Sequence, residues 1–227
     1  MQRILVWDVP TRVFHWALVL CFAGAWLTAD SEYYRRLHVA LGCTAAGLVA
    51  FKLLWGFAGT RYARFGDFLV GPVRAFGYLK SLLRRQPEHY VGHNPAGGLA
   101  IVALLGLIAA TTVAGYVTYN ELAGEWIEEA HEALATLTLG LVGIHIVAVL
   151  LSSVAHRENL VGAMLTGRKW GPESSGIRRG HAVLGALLAA VAIAFVVRNG
   201  MLPAPVVQAS GDAAQQEIRV SSRDDDD

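Results

Sequence analysis

Charged residues are scarce in this sequence. Asp, Glu, Lys and Arg make up 16% of the 227 residues, whereas a soluble domain has roughly 25%. Hydrophobic residues reach 54% and the mean hydropathy is +0.42, which places the chain among membrane proteins. The net charge of +1 identifies no partner, and no nucleic-acid partner is expected.

Cysteine is scarce as well. The two cysteines, Cys21 and Cys43, both lie inside apolar runs. Free cysteine behaves as a small buried hydrophobe, so we expect both thiols to be buried. They match no metal-binding motif and give no information on the redox compartment.

The apolar residues are concentrated in five runs that are long enough to span a membrane. A spanning helix needs about 20 largely apolar residues, with a range of about 17–25, and the first and last runs lie at the short end. The first run is not interpreted as a signal peptide, because further spans follow it and no clear cleavage site does. We therefore expect an all-α membrane protein with spans at approximately Val13–Ala29, Leu37–Phe57, Ala96–Tyr119, His131–Val154 and His181–Val197.

The distribution of lysine and arginine along the chain predicts its orientation. The N-terminal segment and the connections after the second and fourth runs are basic, whereas the connection between the third and fourth runs has glutamates and no Lys or Arg. The N-terminus is therefore expected in the cytoplasm. With five spans, the polar tail Asn199–Asp227 lies outside, and its end, Asp224–Asp227, is a solvated charge run.

Two local patterns refine this map. Asn94 is expected to cap the third span, with Pro95 at the first helical position. In the segment Gly71–Arg85, apolar residues recur at helical spacing and basic residues occupy the other side. This pattern predicts an amphipathic helix on the cytoplasmic leaflet.

Two histidines, His131 and His145, lie fourteen residues apart on the fourth run. Histidine is rare inside a bilayer because a polar side chain there is costly and needs a partner. Fourteen residues of helix rise by roughly 21 Å and drift by only about −40° in angle. The two imidazoles therefore project from nearly the same stripe at two depths, which suggests two cofactors, one near each face of the membrane.

The other spans supply a partner at each depth. His15 lies on the cytoplasmic side of the first span, level with His145, and His38 lies on the outer side of the second span, level with His131. Haem iron accepts two axial histidines, whereas zinc needs at least three protein ligands, so two haems fit these pairs better than two zinc ions. Glycines near His38 and His145 favour a flat macrocycle only slightly, because they are also common in transmembrane packing.

Further polar residues are candidates for secondary roles. Lys52 has either a haem propionate as its counter-ion or a position that lets it snorkel to the cytoplasmic interface, and Arg12 and Arg36 are further candidates for propionate contacts. The remaining histidines are interpreted mainly as interfacial. Among these, His93 and His156 are weak candidates for the vicinity of a quinone site or for a propionate contact.

Several motifs resemble those of the bacterial cytochrome b-561 family of di-haem membrane proteins, which is related to the cytochrome b subunits of nickel-iron hydrogenases. Together they cover residues 3–169. They are VWDVPTR at 6–12 followed by FHW at 14–16, LHV at 37–39, LLWGF at 53–57, GHNPAG at 92–97, and HRENL at 156–160 before TGRK at 166–169.

This resemblance implies a transmembrane four-helix bundle in residues 1–169 that holds two b-type haems, with His15, His38, His131 and His145 as axial ligands of the iron. Residues 170–198, a linker and a fifth span, and the periplasmic tail 199–227 are additions to that pattern. The expected location is a bacterial inner membrane.

The expected activity is respiratory electron transfer between the quinone pool and a periplasmic partner, such as a c-type cytochrome. The sequence leaves open whether the chain is a carrier or a subunit of a quinol-linked oxidoreductase. Alternatives are a membrane anchor for a hydrogenase-like periplasmic oxidoreductase, a superoxide:quinone oxidoreductase and a haem-free transporter or assembly factor.

Overall fold

A computed structural model describes residues 2–84 and 88–201, and helices dominate the described part. Two short strands accompany the helices, one before the first helix and one between the last two. The helices are α1 Val9–Leu27, α2 Arg35–Ala58, α3 Phe65–Phe68, α4 Pro72–Leu83, α5 Pro95–Tyr119, α6 Trp126–Ala155, α7 Leu160–Thr166 and α8 Ala182–Val196, and the strands are β1 Gln2–Leu5 and β2 Arg168–Gly171.

All five predicted runs form long helices. Four of the helical segments within the described residues are long and apolar enough to cross a membrane: Glu32–Ala58, Pro95–Tyr119, Trp126–Ala155 and Ala182–Met201. The remaining run is α1, whose 19 residues pack along α2 and α8. The chain is therefore an integral membrane protein, as its composition predicts.

The long helices pack side by side in the order α8, α1, α2, α5, α6. The core lies between α1, α2 and α5, where Phe14, Leu48 and Ile108 are all less than a tenth exposed. Helix α6 packs along α5, but in the described residues its backbone makes at most sparse approaches to α1 and α2. A gap therefore separates the histidine-bearing helix α6 from the two helices that carry His15 and His38.

The two cysteines differ in burial. Cys21 is buried in the core of the bundle, as predicted. Cys43 is exposed on the surface of α2, so the prediction of burial is wrong for this thiol. Sequence hydropathy does not distinguish a helix face that packs on other helices from an exposed one, and Cys43 lies on an exposed face.

Helix punctuation follows the sequence closely at the start of α5. The Asn94 Oδ1 atom accepts a hydrogen bond from the Gly97 amide at 2.7 Å, and Pro95 opens the helix, which confirms the predicted cap. The amphipathic segment expected over 71–85 forms α4, Pro72–Leu83. Arg85 and the acidic end of the tail, Asp224–Asp227, lie outside the described residues.

A two-stranded antiparallel sheet at the basic end of the bundle was not predicted. Strand β1 pairs with β2 so that Ile4 lies opposite Lys169. Beside the sheet, Lys169 Nζ lies 3.2 Å from Glu158 Oε2, and both side chains are almost fully buried. The sheet and this ion pair connect the N-terminus to the segment that follows α6 and α7.

The fifth long helix, α8, packs on the side of α1. Gly185 of α8 lies so close to Val9 that an added Cβ atom would come within 3.1 Å of the Val9 backbone carbon. Backbone contact of this kind requires glycine. Helix α8 is therefore packed against the bundle in the described structure and is not a detached extension.

Candidate functional site

The structure brings His38 and His131 together across the gap between α2 and α6. Their ring centroids are 6.2 Å apart and their planes are inclined by 78°. An imidazole nitrogen binds a transition metal at about 2 Å, so two imidazoles on opposite sides of one ion have ring centres about 6 Å apart. The observed separation therefore leaves room for one metal ion between the two rings.

The outward-facing nitrogen of each ring is fixed by a backbone carbonyl. His38 Nδ1 lies 2.9 Å from the Ala25 carbonyl oxygen, and His131 Nδ1 lies 2.9 Å from the Thr111 carbonyl oxygen. Because a carbonyl can only accept, both Nδ1 atoms donate, which leaves Nε2 as the nitrogen with a free lone pair. Metal-binding histidines characteristically make this kind of supporting hydrogen bond.

Gly115 of α5 makes room for the His131 ring. A Cβ atom at this position would lie 2.7 Å from His131 Cε1, which is too close for a methyl group. On the other side, an added Cβ at Gly42, one turn after His38, would meet nothing within 4 Å. Gly115 thus provides the space that the His131 ring occupies, whereas a methyl group at Gly42 would meet no neighbour.

The second predicted pair, His15 and His145, faces the same gap nearer the basic end of the bundle. The two side chains are near enough to interact electrostatically, although they make no ring contact of the kind that joins His38 to His131 within the described part of the chain. The buried Nδ1 atom of His15 has no hydrogen-bond partner. This pair is therefore less constrained than the outer one.

Other buried polar atoms without described partners at this end include Arg12 Nε and His93 Nδ1. Arg12 also donates from a terminal nitrogen to the Leu165 carbonyl oxygen at 2.6 Å. The His93 ring lies between Trp7 and Phe68, with centroid separations of 4.4 and 4.8 Å. Burial, reinforced by the positive charges of Lys52 and Lys169, lowers the pKa of His93 to about 3, so its imidazole is neutral.

Lys52 does not snorkel to the surface. Its side chain is 3% exposed, and Nζ donates to the Ala63 carbonyl oxygen at 2.9 Å. The ammonium also lies 5.6 Å from the centre of the Phe65 ring and 5.8 Å from that of Phe68. Of the two interpretations offered by the sequence, this geometry removes the snorkelling one.

Arg36 makes its described hydrogen bond away from the histidine pairs. Its guanidinium donates to the Asn199 carbonyl oxygen at 3.2 Å, at an exposed position. A role for Arg36 beside a propionate therefore has no supporting contact and stays a prediction.

Asp8 is a central residue that the sequence analysis did not single out. It is fully buried, and its Oδ1 atom accepts from the Thr11 amide at 2.8 Å, which caps α1. Its Oδ2 atom accepts from Trp55 Nε1 at 3.1 Å and from the Thr60 hydroxyl at 2.6 Å. The Asp-x-Pro-Thr pattern that begins α1 is a capping pattern, so this role was open to sequence reasoning.

Replacing Asp8 by alanine is expected to destabilise the protein by about 2–4 kcal/mol, because a cap is lost and the Trp55 and Thr60 donors lose a charged acceptor. The stability of Asp8→Asn is expected to lie between those of the unmodified protein and Asp8→Ala. The free energy of unfolding in mild detergent measures the effect. Asp30→Ala, at an exposed aspartate, is the control, and an equal loss in both variants would contradict the assigned role.

A second unpredicted contact joins α4 to the end of α6. The Tyr78 hydroxyl lies 3.0 Å from His156 Nε2, and the two rings are nearly parallel. The ring centroids of His89 and His156 are 5.8 Å apart. Burial lowers the pKa of His156, and the charge of His89 makes a smaller contribution in the same direction. His156 is thus part of a contact between α6 and α4. This contact involves the buried Tyr78 side chain, on the face of the amphipathic helix α4 that packs against the protein.

The histidine nitrogens in the gap suit a metal ion that is held by two residues. In residues 2–84 and 88–201, no group of three or more His, Cys, Asp and Glu side chains is arranged to hold a metal ion, whereas the outer pair has the spacing and the free Nε2 atoms for two axial ligands. The unpartnered polar atoms at the inner pair suit a group that carries its own charges. These features define a class of protein: an integral membrane protein with two facing histidine pairs between helices, as in membrane cytochromes.

The comparison with protein families agrees with this class. The model of the family described as prokaryotic cytochrome b561 matches residues 6–167, which is more than half of the chain. The chain therefore belongs to the prokaryotic cytochrome b561 family. Membership makes it a membrane cytochrome b that takes part in electron transfer, and it implies b-type haem as the cofactor.

The curated relatives carry related names. A probable Ni/Fe-hydrogenase B-type cytochrome subunit from Rhizobium leguminosarum bv. viciae is 23% identical, with 74% of this chain and 89% of the relative aligned. The corresponding protein from Cupriavidus necator is 25% identical, over 74% of this chain and 87% of the relative. A probable Ni/Fe-hydrogenase 1 B-type cytochrome subunit from Escherichia coli K12 is 23% identical, over 51% and 60%. No solved structure matches the chain.

Proposed function

We propose that this protein carries electrons across a bacterial inner membrane through two b-type haems, between the quinone pool and a redox partner on the outer side. Residues 1–169 form the haem-binding unit, residues 170–198 add a linker and a fifth span, and residues 199–227 form a periplasmic tail. The observation that carries this proposal is the His38–His131 pair, with its 6.2 Å ring separation and its two tethered Nδ1 atoms.

The outer haem is assigned to His38 and His131, which coordinate through Nε2. Their Nδ1–H groups donate to the Ala25 and Thr111 carbonyls, and these hydrogen bonds hold the rings in place and raise the basicity of the ligating nitrogens. If both histidines held the iron of a bound haem, that iron would have no open coordination position for oxygen. Outer-sphere electron transfer is therefore favoured over oxygen binding.

The inner haem is assigned to His15 and His145. The support comes from the unpartnered polar atoms nearby: Arg12 Nε and His93 Nδ1 are buried without hydrogen-bond partners, and Lys52 contributes a buried positive charge. A haem carries propionates, and carboxylates inside a membrane need such partners. Arg12 is the better supported propionate contact, because its Nε atom has no partner, whereas Lys52 and Arg36 both donate to backbone carbonyls.

Haem supplies one-electron chemistry, since the iron alternates between two oxidation states. The protein contributes axial nitrogens, burial and nearby charge, which together set the potential of each site. Positive charge beside the inner pair, from Lys52 and Arg12, favours the reduced form there. A gradient of potential between the two sites would drive electrons along α6 from one face of the membrane to the other.

The quinone is proposed to react at the basic end of the bundle, which we assign to the cytoplasm from the distribution of Lys and Arg. His93 supports this choice, because its ring packs between Trp7 and Phe68 and it is near enough to His15 and His145 to interact with their charges. His156 is a weaker candidate, because Tyr78 already occupies its Nε2 atom.

The outer partner is proposed to be a c-type cytochrome or another periplasmic redox protein with a basic face. The connection between α5 and α6 has exposed acidic side chains and no basic ones, and it leads into the helix that carries His131. Clustered negative charge accelerates encounter with a positively charged partner and loses this effect as salt screens it. The exposed glutamates are Glu121 and Glu125 in the connection and Glu128, Glu129 and Glu132 in the first turns of α6.

Glu121→Gln/Glu125→Gln is expected to slow electron transfer to a basic c-type cytochrome by about ten-fold at low salt, with the difference disappearing at high salt. Stopped-flow oxidation of the pre-reduced protein measures the rate. Glu88→Gln/Glu173→Gln removes the same charge at the opposite end of the bundle and should leave the rate unchanged. A rate independent of salt in the unmodified protein would count against this docking surface.

A second candidate is a membrane anchor for a hydrogenase-like oxidoreductase on the outer side. The names of the curated relatives favour it, since each describes a cytochrome subunit of a Ni/Fe-hydrogenase. In this role the partner supplies electrons and the quinone accepts them. Co-purification of a nickel or iron–sulfur protein with the full chain from its native membrane would favour this candidate over the soluble-cytochrome reaction.

The proposed function is tested in proteoliposomes with a short-chain quinol. Addition of the quinol is expected to reduce both haems on mixing, and a periplasmic-side oxidant should then reoxidise them. His145→Ala is expected to remove the inner haem and slow quinol-dependent reduction of the outer one, if the quinone reacts at the basic end. Haem that is reduced by dithionite but not by the quinol would contradict the proposal.

A further inference from the structure

A small basic pocket lies outside the histidine-lined gap. It has a volume of about 290 Å³ and lies between Arg61 on one side and the linker residues Arg178, Arg179 and His181 on the other. This volume is just below the roughly 300 Å³ at which small-ligand sites begin. The pocket therefore suits a compact charged group better than a whole cofactor.

The pocket lies at the boundary of the membrane. Helix α2 ends at Ala58, three positions before Arg61, and α8 begins at Ala182, immediately after His181. Both helices belong to segments long and apolar enough to span a bilayer. A pocket between the same-side ends of two such helices lies at the depth of the lipid headgroups.

The charge of the pocket is not neutralised by the protein. Arg61 has a partner, because its Nε atom lies 3.6 Å from Asp67 Oδ1. Across residues 2–84 and 88–201, Arg178 and Arg179 form no ion pair with any described acidic side chain, and both are exposed. The pocket thus presents two guanidinium groups without counter-ions and a third that shares one carboxylate.

The linker that carries these arginines is fixed at both ends. The Ile177 amide donates to the Leu5 carbonyl oxygen at 2.8 Å, and the Val9 amide donates to the Gly180 carbonyl oxygen at 2.8 Å. The His181 ring lies 5.4 Å from the Trp55 ring in an edge-to-face arrangement. Arg178 and Arg179 are therefore presented from a preorganised segment, which lowers the entropic cost of binding.

We propose that this pocket binds a phosphate group, supplied by the headgroup of an anionic phospholipid. Guanidinium groups match phosphate oxygens in geometry and charge, and basic pockets between transmembrane helices on the cytoplasmic side recognise anionic headgroups. Residues 176–181 lie beyond the family match at 6–167, so the pocket is made by the extension that carries the fifth helix. The bound lipid would connect α8 to the end of α2.

The test is native mass spectrometry of the full haem-containing protein in a neutral detergent, titrated with phosphatidylglycerol or phosphatidylcholine. Phosphatidylglycerol is expected to bind with at least ten-fold higher affinity. Arg178→Gln/Arg179→Gln should weaken its binding by about 10- to 30-fold, while haem content and melting temperature stay unchanged. The control Arg74→Gln/Arg84→Gln removes two exposed charges from the α4 region outside the pocket and should change affinity by less than about three-fold.

A parallel titration with inorganic phosphate separates the two sources of the ligand. Binding of phosphatidylglycerol alone supports a lipid site, and tight, Arg178- and Arg179-dependent binding of inorganic phosphate supports a site for soluble phosphate. Equal affinity for the two lipids without phosphate binding, or equal losses in the two double variants, would overturn the proposal. None of these outcomes depends on quinone or partner chemistry.

Discussion

Replacing His131 by alanine is expected to lower the haem content from two per chain to one. We propose that the His38–His131 pair supplies both axial ligands of the outer site, so that removal of one would leave the iron with a single protein nitrogen. The inner site lies roughly 21 Å further along α6 and keeps His15 and His145. A reduced-minus-oxidised spectrum with a haem count per chain measures the loss, and a redox titration should change from two components to one.

Two companion variants and a rescue experiment sharpen this prediction. His145→Ala should remove the inner haem and leave the outer one, so that each variant retains the component that the other loses. His89→Ala removes a histidine outside both pairs and should retain two haems. Added imidazole is expected to restore haem binding to His131→Ala, because the space left by the ring is bordered by Gly115. Two haems in His131→Ala would remove this residue from the ligand set.

Replacing Lys169 by methionine is expected to destabilise the protein by about 3–5 kcal/mol, because it leaves the Glu158 carboxylate buried without its counter-charge. The two charges lie 3.2 Å apart and are almost completely buried. The second oxygen of Glu158 already lacks a partner, so the carboxylate has little else to compensate it. The free energy of unfolding in mild detergent measures the loss.

The double variant Lys169→Met/Glu158→Met is expected to recover most of this loss, since an apolar pair of similar volume replaces a buried ion pair at little cost. Arg168→Met, at the exposed neighbour on the same strand, should change stability by about 0.5 kcal/mol or less. Equal effects at Lys169 and Arg168 would show that burial of the ion pair is unimportant. If the double variant were as unstable as Lys169→Met, the loss would be caused by packing and not by the unpaired charge.

The sequence predicts the helical architecture well because the signals involved are local. Long apolar runs and the cap at Asn94 depend on residues close in the chain, and both appear in the structure. The sorting of four histidines by depth also needs only helix rise and the alternation of spans. The structure brings His38 and His131 together as the sorting anticipates, although their role as haem ligands stays a prediction.

Features that depend on long-range packing were not predicted. The β1–β2 sheet joins residues more than 160 positions apart, and β1 is four residues long, so hydrophobic periodicity has too little sequence to act on. The hydrogen bonds of Asp8 and the contacts of the His93 ring with Trp7 and Phe68 depend on how separate helix ends meet. The exposure of Cys43 was not predicted either, because hydropathy alone does not distinguish a helix face in the core from an exposed one.

The most direct test of the account is a count of haem per chain in the purified protein, combined with a dithionite-reduced minus air-oxidised spectrum. The two histidine pairs on α6 predict two b-type haems per chain, with two components in a redox titration. A single haem would contradict the assignment of one pair, and the His131 and His145 variants would identify which. A protein that binds no haem would contradict the central claim.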